Sequence, residues 1–331
     1  MDRIDLHSHV IPEAIVQLMN AQPDVYQTRI IEEGGKRVFV RGMTRFPFDA
    51  EFYDAEAKLE SMDRKGLTVS AISPGPQTFF YNLNDADVAL RTARVVNDGV
   101  AAMVQRNPSR LRGMATLPMQ HPEAAIEELE RVVKEHRFKA VELGTAIGEE
   151  ELADPRFRPV LRRIEALKLV IFAHPNTQGS SGRLDCYYLT NLIGNPLDTT
   201  IMVGKLMFSG ALDELKELRF LLAHGGGFLP YQIGRFQHGH GVRADTAAIT
   251  RSKPFDMFRR FYFDALTHDP RAIRHLLDIV GSERVVLGTD SPFDMGEERP
   301  VERLEAVSRL TEKEREDVCF RTALSLFGGK L

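Results

Sequence analysis

Eight short apolar runs recur along the chain, at residues 3–10, 68–74, 111–118, 140–146, 169–175, 219–225, 261–267 and 284–290. Their lengths suit strands, and their continuous apolar character suits strands covered on both faces. Stretches of helical spacing separate most of them. Residues 89–106 set Leu90, Ala93, Val96, Val100 and Met103 at steps of three or four. Residues 122–136 do the same with Ile126, Leu129 and Val133, behind a Pro-Glu start that suits a first helical turn. Residues 155–167 and 197–218 also read as helical, the latter with room for more than one helix. Residues 311–327 close the chain, and Thr311 and Glu314 have the spacing of a capping box. Eight strands alternating with helices predict an α/β fold, a (β/α)8 TIM barrel, ahead of an open doubly wound sheet. No G-x-G-x-x-G follows the first run, which weakens a dinucleotide-binding version of the open sheet.

One stretch breaks the rhythm. Residues 23–54 hold Gly34-Gly35, then Arg37 to Val40, then aromatic and proline residues. They read as an insertion after strand one, a small β-hairpin over the barrel mouth, within a single barrel domain of 1–331. With 43% hydrophobic and 27% charged residues, such a chain buries a large core without staples. A net charge of −4 and no Lys/Arg-rich run leave no footprint for nucleic acid. No apolar run approaches the ~20 residues of a membrane helix. Two cysteines, Cys186 and Cys319, fit a reducing compartment, so the expectation is a cytoplasmic protein.

The chemistry gathers at the ends of the runs. In Asp5-Leu6-His7-Ser8-His9, side chains alternate along a strand, so His7 and His9 point to the same side. Alone, the pair is weak evidence. His174 ends the fifth run, His224 the sixth and Asp290 the eighth. In a barrel these positions share the face where active sites lie. Three imidazoles and one carboxylate suit a catalytic zinc with a position left for water; iron, cobalt and manganese also accept such donors. His7, His9, His174 and Asp290 are therefore the expected metal ligands, one ion per subunit. His224 is the further imidazole, free for proton transfer beside the metal.

His-x-His on strand one, histidines on strands five and six and an aspartate on strand eight resemble the amidohydrolase superfamily. Within it the chain is similar to the aminocarboxymuconate semialdehyde decarboxylase family over nearly its whole length. The matching segments include Leu222-Ala223-His224-Gly225-Gly226-Gly227, Gly234 to Gly239, Asp264 to Pro270 and Leu287 to Phe293, together with Met114 to Gln120 and Thr199-Thr200. The resemblance implies a zinc-dependent, non-oxidative decarboxylase of a small unsaturated or aromatic carboxylic acid, with His224 as acid/base and Asp290 shared between metal and catalysis. It also implies a homodimer in which Arg243 reaches the neighbouring subunit's site. A second substrate arginine would come from the insertion, Arg41 with Arg45 as its rival.

Three positions depart from the family pattern: Asn176 and Ser291 stand where aromatic residues are usual, and Tyr188 where a tryptophan lines the pocket. Strand four offers Glu142 but no lysine to carry a bridging carbamate, which favours one metal. Two other readings stay open: metal-dependent hydrolysis or hydration of a lactone, amide or unsaturated diacid, and a catalytically silent metal-binding barrel. Of the remaining histidines, His121, His136 and His275 read as surface residues. His238 and His240 read as packing or dimer contacts, and His268 as a brace for its loop.

Overall fold

The computed structural model describes residues 1–42, 44–176 and 182–329. Met43 of the expected insertion lies outside them. All eight apolar runs form strands: β1 (Ile4–Val10), β2 (Val69–Pro74), β3 (Leu111–Gly113), β4 (Ala140–Gly144), β5 (Val170–His174), β6 (Arg219–Leu222), β7 (Tyr262–Asp264) and β8 (Val285–Val286). Every pairing among them is parallel. β1, β2 and β3 form one ladder, and β4 to β8 form another in sequential order. Single bridges join the two ladders, Ala115 to Val141 on one side and Asp5 to Leu287 and Ser8 to Ser291 on the other. The sheet is thus closed, and the fold is the (β/α)8 barrel.

Several ladders are shorter than the apolar runs. Gly113 ends β3 where a Cβ would meet the Phe138 ring at 2.3 Å, and Pro118 further on has no N–H to give a ladder. The helices follow their expected faces. Asp85 caps the helix Ala86–Arg106, and the Thr311–Glu314 capping box opens the last helical segment. Residues 197–218 hold two helices, Asn195–Phe208 and Ala211–Glu214. Residues 122–136 begin as an α-helix and finish as a π-turn, Val132–His136. The main core lies between strands and helices, where Val141, Leu143, Ile171, Leu222 and Phe263 meet Leu129, Leu161, Ile164 and Leu206. Among the described residues no helix is long and apolar enough to cross a membrane.

The segment after β1 is more than a hairpin. Arg29–Glu33, Lys36–Arg41 and Thr44–Pro47 form a three-stranded antiparallel sheet, turned at Gly34 and Gly35 with φ of 56° and 75°. Its buried face sets Ile30 and Phe39 against Ile15, Val16 and Met19 of the helix Glu13–Ala21. Phe39 stacks on Phe46, and Phe46 meets Phe293, three residues beyond Asp290. This small core fastens the insertion to the strand ends.

The barrel closes tightly at Gly288. A Cβ there would lie 2.8 Å from the Cβ of Asp264 and 2.9 Å from that of His7. We expect Gly288→Ala to destabilise the fold by about 1–3 kcal/mol through overpacking. Urea denaturation checks this, and an unchanged midpoint and slope would contradict it.

Candidate metal centre

The strand ends bring His7, His9, His174 and Asp290 together as one buried group, with a ligand atom from each lying within 4.8 Å of the others. His7 Nε2 is 3.1 Å from His9 Nε2, and Asp290 Oδ1 lies 3.3 Å and 3.1 Å from these two nitrogens. The second ring nitrogen of each histidine is fixed from behind. His7 Nδ1 donates to Asp264 Oδ2 at 2.6 Å. His174 Nδ1 donates to the Pro175 carbonyl at 2.8 Å. Ser73 Oγ gives its proton to the Ser8 carbonyl, so it accepts from His9 Nδ1 at 3.2 Å. With each Nδ1–H committed outward, all three Nε2 atoms face the centre, the position from which each ring can bind an ion once Nε2 carries no proton.

His174 Nε2 and Asp290 Oδ1 have no hydrogen-bond partner among the described residues, although both atoms are buried. Buried polar atoms left this way are costly, and a cation between them removes the cost. Three imidazole nitrogens and one carboxylate oxygen fit a divalent ion.

Electrostatics agrees. Burial lowers His174 well below the usual histidine range, aided by His9, His224 and His7, and burial lowers His9 to about 4. Both rings are therefore neutral donors. Burial opposes charge on His7 too, but Asp290 and Asp264 outweigh it and raise its pKa to about 10. Burial would push Asp290 up, yet the positive charge on His7 and the neighbouring rings of His224 and His9 hold it well below the carboxylate range.

Asp264, the last residue of β7, organises one side of the site. It accepts from His7 and from the backbone N–H groups of His224, Gly225 and Leu266. It is a strand-end carboxylate like Asp290, yet no sequence motif tied it to the metal ligands. Asp5 organises the other side, accepting from His7 N, Thr289 N, Thr289 Oγ1 and Ser70 Oγ. Burial raises its pKa to about 6 against those bonds. His224 Nε2 lies 3.5 Å from Asp290 Oδ2, and its Nδ1 is buried without a partner among the described residues. His224 and Asp290 hold φ of 54° and 56°, a left-handed backbone that costs a non-glycine residue about 1–3 kcal/mol.

Glu142 stands behind His9, its Oε1 3.7 Å from Nδ1, outside the four-donor group. Burial pushes its carboxyl well above the usual range. The two insertion arginines separate by face. Arg41 shares the side of its strand that carries buried Phe39, and it donates to the Gln77 carbonyl just beyond β2 at 3.1 Å. Arg45 pairs across with Val40 on the opposite side, where it makes an exposed ion pair with Glu33. Tyr188 donates to Asp294, bridging the loops after β5 and β8. Arg243 is exposed at the end of the helix Leu229–Val242, paired with its neighbour Asp245. The remaining histidines stay outside the four-donor group. Of the expected surface histidines, His275 is exposed, whereas His121 and His136 are half-buried and bonded to the Leu83 carbonyl and Asp98.

In the metal-free protein His7 keeps a proton until pH approaches 10, and an entering ion displaces it. Metal affinity should therefore rise with pH through neutrality, with about one proton released per ion at pH ~7. Calorimetric titration in buffers of different ionisation enthalpy reads that proton directly; none released would contradict the assignment. Asp264→Asn should weaken metal binding about 10–100-fold by loosening His7, measured by chelator competition.

The amidohydrolase family pattern matches residues 4–329. A 2-amino-3-carboxymuconate-6-semialdehyde decarboxylase from Dictyostelium discoideum is 30% identical, over 98% of this chain and 91% of its own length. Among solved structures, the Metarhizium anisopliae IDCase in apo form superposes with a TM-score of 0.85 at 23% identity, covering 99% of this chain and 97% of that one. A dihydroxybenzoic acid decarboxylase from Polaromonas, solved with bound manganese and an inhibitor, superposes at 0.78 with 22% identity, covering 99% and 97%. A closed barrel of eight parallel strands, polar donors at their shared end and a sequence match across almost all of the chain lead to one conclusion: this protein belongs to the amidohydrolase family.

Proposed function

We propose that the chain is a metal-dependent, non-oxidative decarboxylase of a small unsaturated or aromatic carboxylic acid, with 2-amino-3-carboxymuconate semialdehyde or a close analogue as substrate. The observation that carries the reading is the four-donor group with His224 beside it. The similarity to enzymes named as decarboxylases supports the reaction class. Four donors, three of them nitrogen, favour zinc as the resident ion. Manganese, held by the Polaromonas relative, is the competitor.

The ion, bound by His7, His9, His174 and Asp290, would supply positive charge that orients substrate oxygens and offsets negative charge developing in the transition state. The protein's own groups do the rest. Arg41 uses only one of its side-chain donors on Gln77 among the described residues, so its guanidinium has donors free for a substrate carboxylate. When the carbon–carboxyl bond breaks, its electron pair stays on carbon and carbon dioxide leaves. A proton from His224 Nε2 then takes the vacated position on carbon. No oxidant enters the balance. Tyr188, tied to Asp294, and Phe293, packed on His9, wall the substrate from water.

The active form in this proposal is a homodimer. Ile193, Leu197 and Ile201 repeat every four residues and stay exposed along one face, and Tyr231 is 80% exposed on the helix that ends beside Arg243. A second copy covers these apolar side chains and brings its own Arg243 to this site.

Zinc-loaded protein should release carbon dioxide from the aminomuconate substrate without consuming oxygen. A product heavier by one water, with no carbon dioxide released, would instead mark a hydratase or hydrolase. His224→Ala should lower turnover about 10²–10⁴-fold with metal content unchanged. Mixing Arg243→Ala with His174→Ala should restore part of the activity if the arginine acts across subunits. Heterodimers that form without rescue would refute that arrangement.

A further inference from the structure

His7, His9 and Asp290 all lie where β1 meets β8. The backbone bonds across this seam run from Leu6 N to Leu287 O, His9 N to Ser291 O, and Thr289 N and Asp290 N to His7 O. A side chain from outside the barrel reaches the same place. Lys58, on the helix Ala55–Arg64, is only 1% exposed. Its Nζ donates to Glu51 Oε1 at 2.9 Å, Ser8 Oγ at 3.2 Å and the Ser291 carbonyl at 3.4 Å. Ser8 stands between His7 and His9, and Ser291 follows Asp290. Ser8 Oγ also donates to the Ser291 carbonyl, and Ser291 Oγ donates to Glu51.

All three ammonium protons are used, two of them on residues adjacent to expected metal ligands. Burying an ammonium is unfavourable unless it is paired and fully bonded, and an apolar side chain of similar volume commonly serves a core as well. Here the charge lies against the backbone of both ligand-bearing strands. We propose that Lys58, held by Glu51, is a positioning residue: it clamps Ser8 to Ser291 and thereby sets the spacing of His9 and Asp290 around the ion. The inference rests on the metal-centre reading above. It links the segment leaving the insertion, residues 50–64, to the geometry of the donors.

The test uses full-length protein stripped of metal by a chelator and titrated with zinc(II) and cobalt(II) against a chromophoric competitor. Lys58→Met should remain folded by circular dichroism yet bind each ion about 10–100-fold more weakly, as other losses behind metal ligands do. Its cobalt(II) visible absorption bands should shift, because the donor geometry has changed. Lys58→Arg, which keeps the cation, should recover part of the affinity. Glu51→Gln combined with Lys58→Met should keep the deficit, showing that it does not come from a stranded Glu51 carboxylate. If Lys58→Met does not fold, that double variant decides, and if it also fails, Ser8→Ala decides through a smaller loss of affinity. A folded Lys58 variant with parental affinity and an unshifted cobalt spectrum, altered only in melting temperature, would overturn the proposal while leaving the metal centre intact. A parent protein that binds neither ion would overturn the metal centre and this proposal with it.

Discussion

Strands β1 and β8 are the two ends of the sheet, and their contact turns an open ladder into a barrel. Three of the four expected metal ligands stand on that contact. Buried charge faces the ligands along it: Asp5 holds the backbone of His7 and Thr289, and Lys58 holds Ser8 and the Ser291 carbonyl. Gly288 lets the backbone pass within reach of Asp264 and His7. A parallel sheet closed in this way has all its C-terminal strand ends on one rim, so residues far apart in sequence become neighbours there. The metal site is a consequence of the closure, and the closure is held by groups that also orient the site.

The same economy governs the protons. An imidazole serves as a ligand through one nitrogen only when the other is committed elsewhere. Three different acceptors make that commitment here: a carboxylate for His7, a main-chain carbonyl for His174 and a hydroxyl for His9. The carboxylate differs from the other two in charge. Together with Asp290, the larger influence, it raises the basicity of His7 against burial, whereas at His9 and His174, whose second partners are neutral, burial outweighs Asp290. One proton therefore rests on His7, between Asp264 and Asp290, in the metal-free protein, and an ion of higher charge competes for the same place.

The parts of this arrangement that follow from chain direction were legible in the sequence. Apolar runs marked eight strands, and a polar residue after each of several runs marked the rim. Groups that matter through burial were not legible. Lys58 occupies a charged, amphipathic stretch, Ala55 to Arg64, where a lysine reads as a solvated face. Asp5 reads as an ordinary polar residue within the first strand. Asp264 carried a signal, since it ends its strand as His174 does, but nothing in the sequence joined it to His7. The insertion was found by its broken rhythm. Its third strand, Thr44–Pro47, was not recognised, because a short run with an arginine and a proline has little strand character of its own.

The pocket positions that depart from the family pattern are occupied by polar groups already in use. Asn176 donates to the Ala146 carbonyl and accepts from Thr145 Oγ1, bracing the loop after β4 against the loop after β5. Tyr188 spends its hydroxyl on Asp294, and Ser291 spends its own on Glu51. In each case the side chain fastens protein to protein. Asn176, Tyr188 and Ser291 therefore have their side-chain polar groups engaged within the protein. Arg41 is different: burial lowers its pKa, and among the described residues no carboxylate is paired with it and one side-chain donor is used, on the Gln77 carbonyl. A half-buried guanidinium in that condition is stabilised by any anion that reaches it, because the anion supplies the compensating charge.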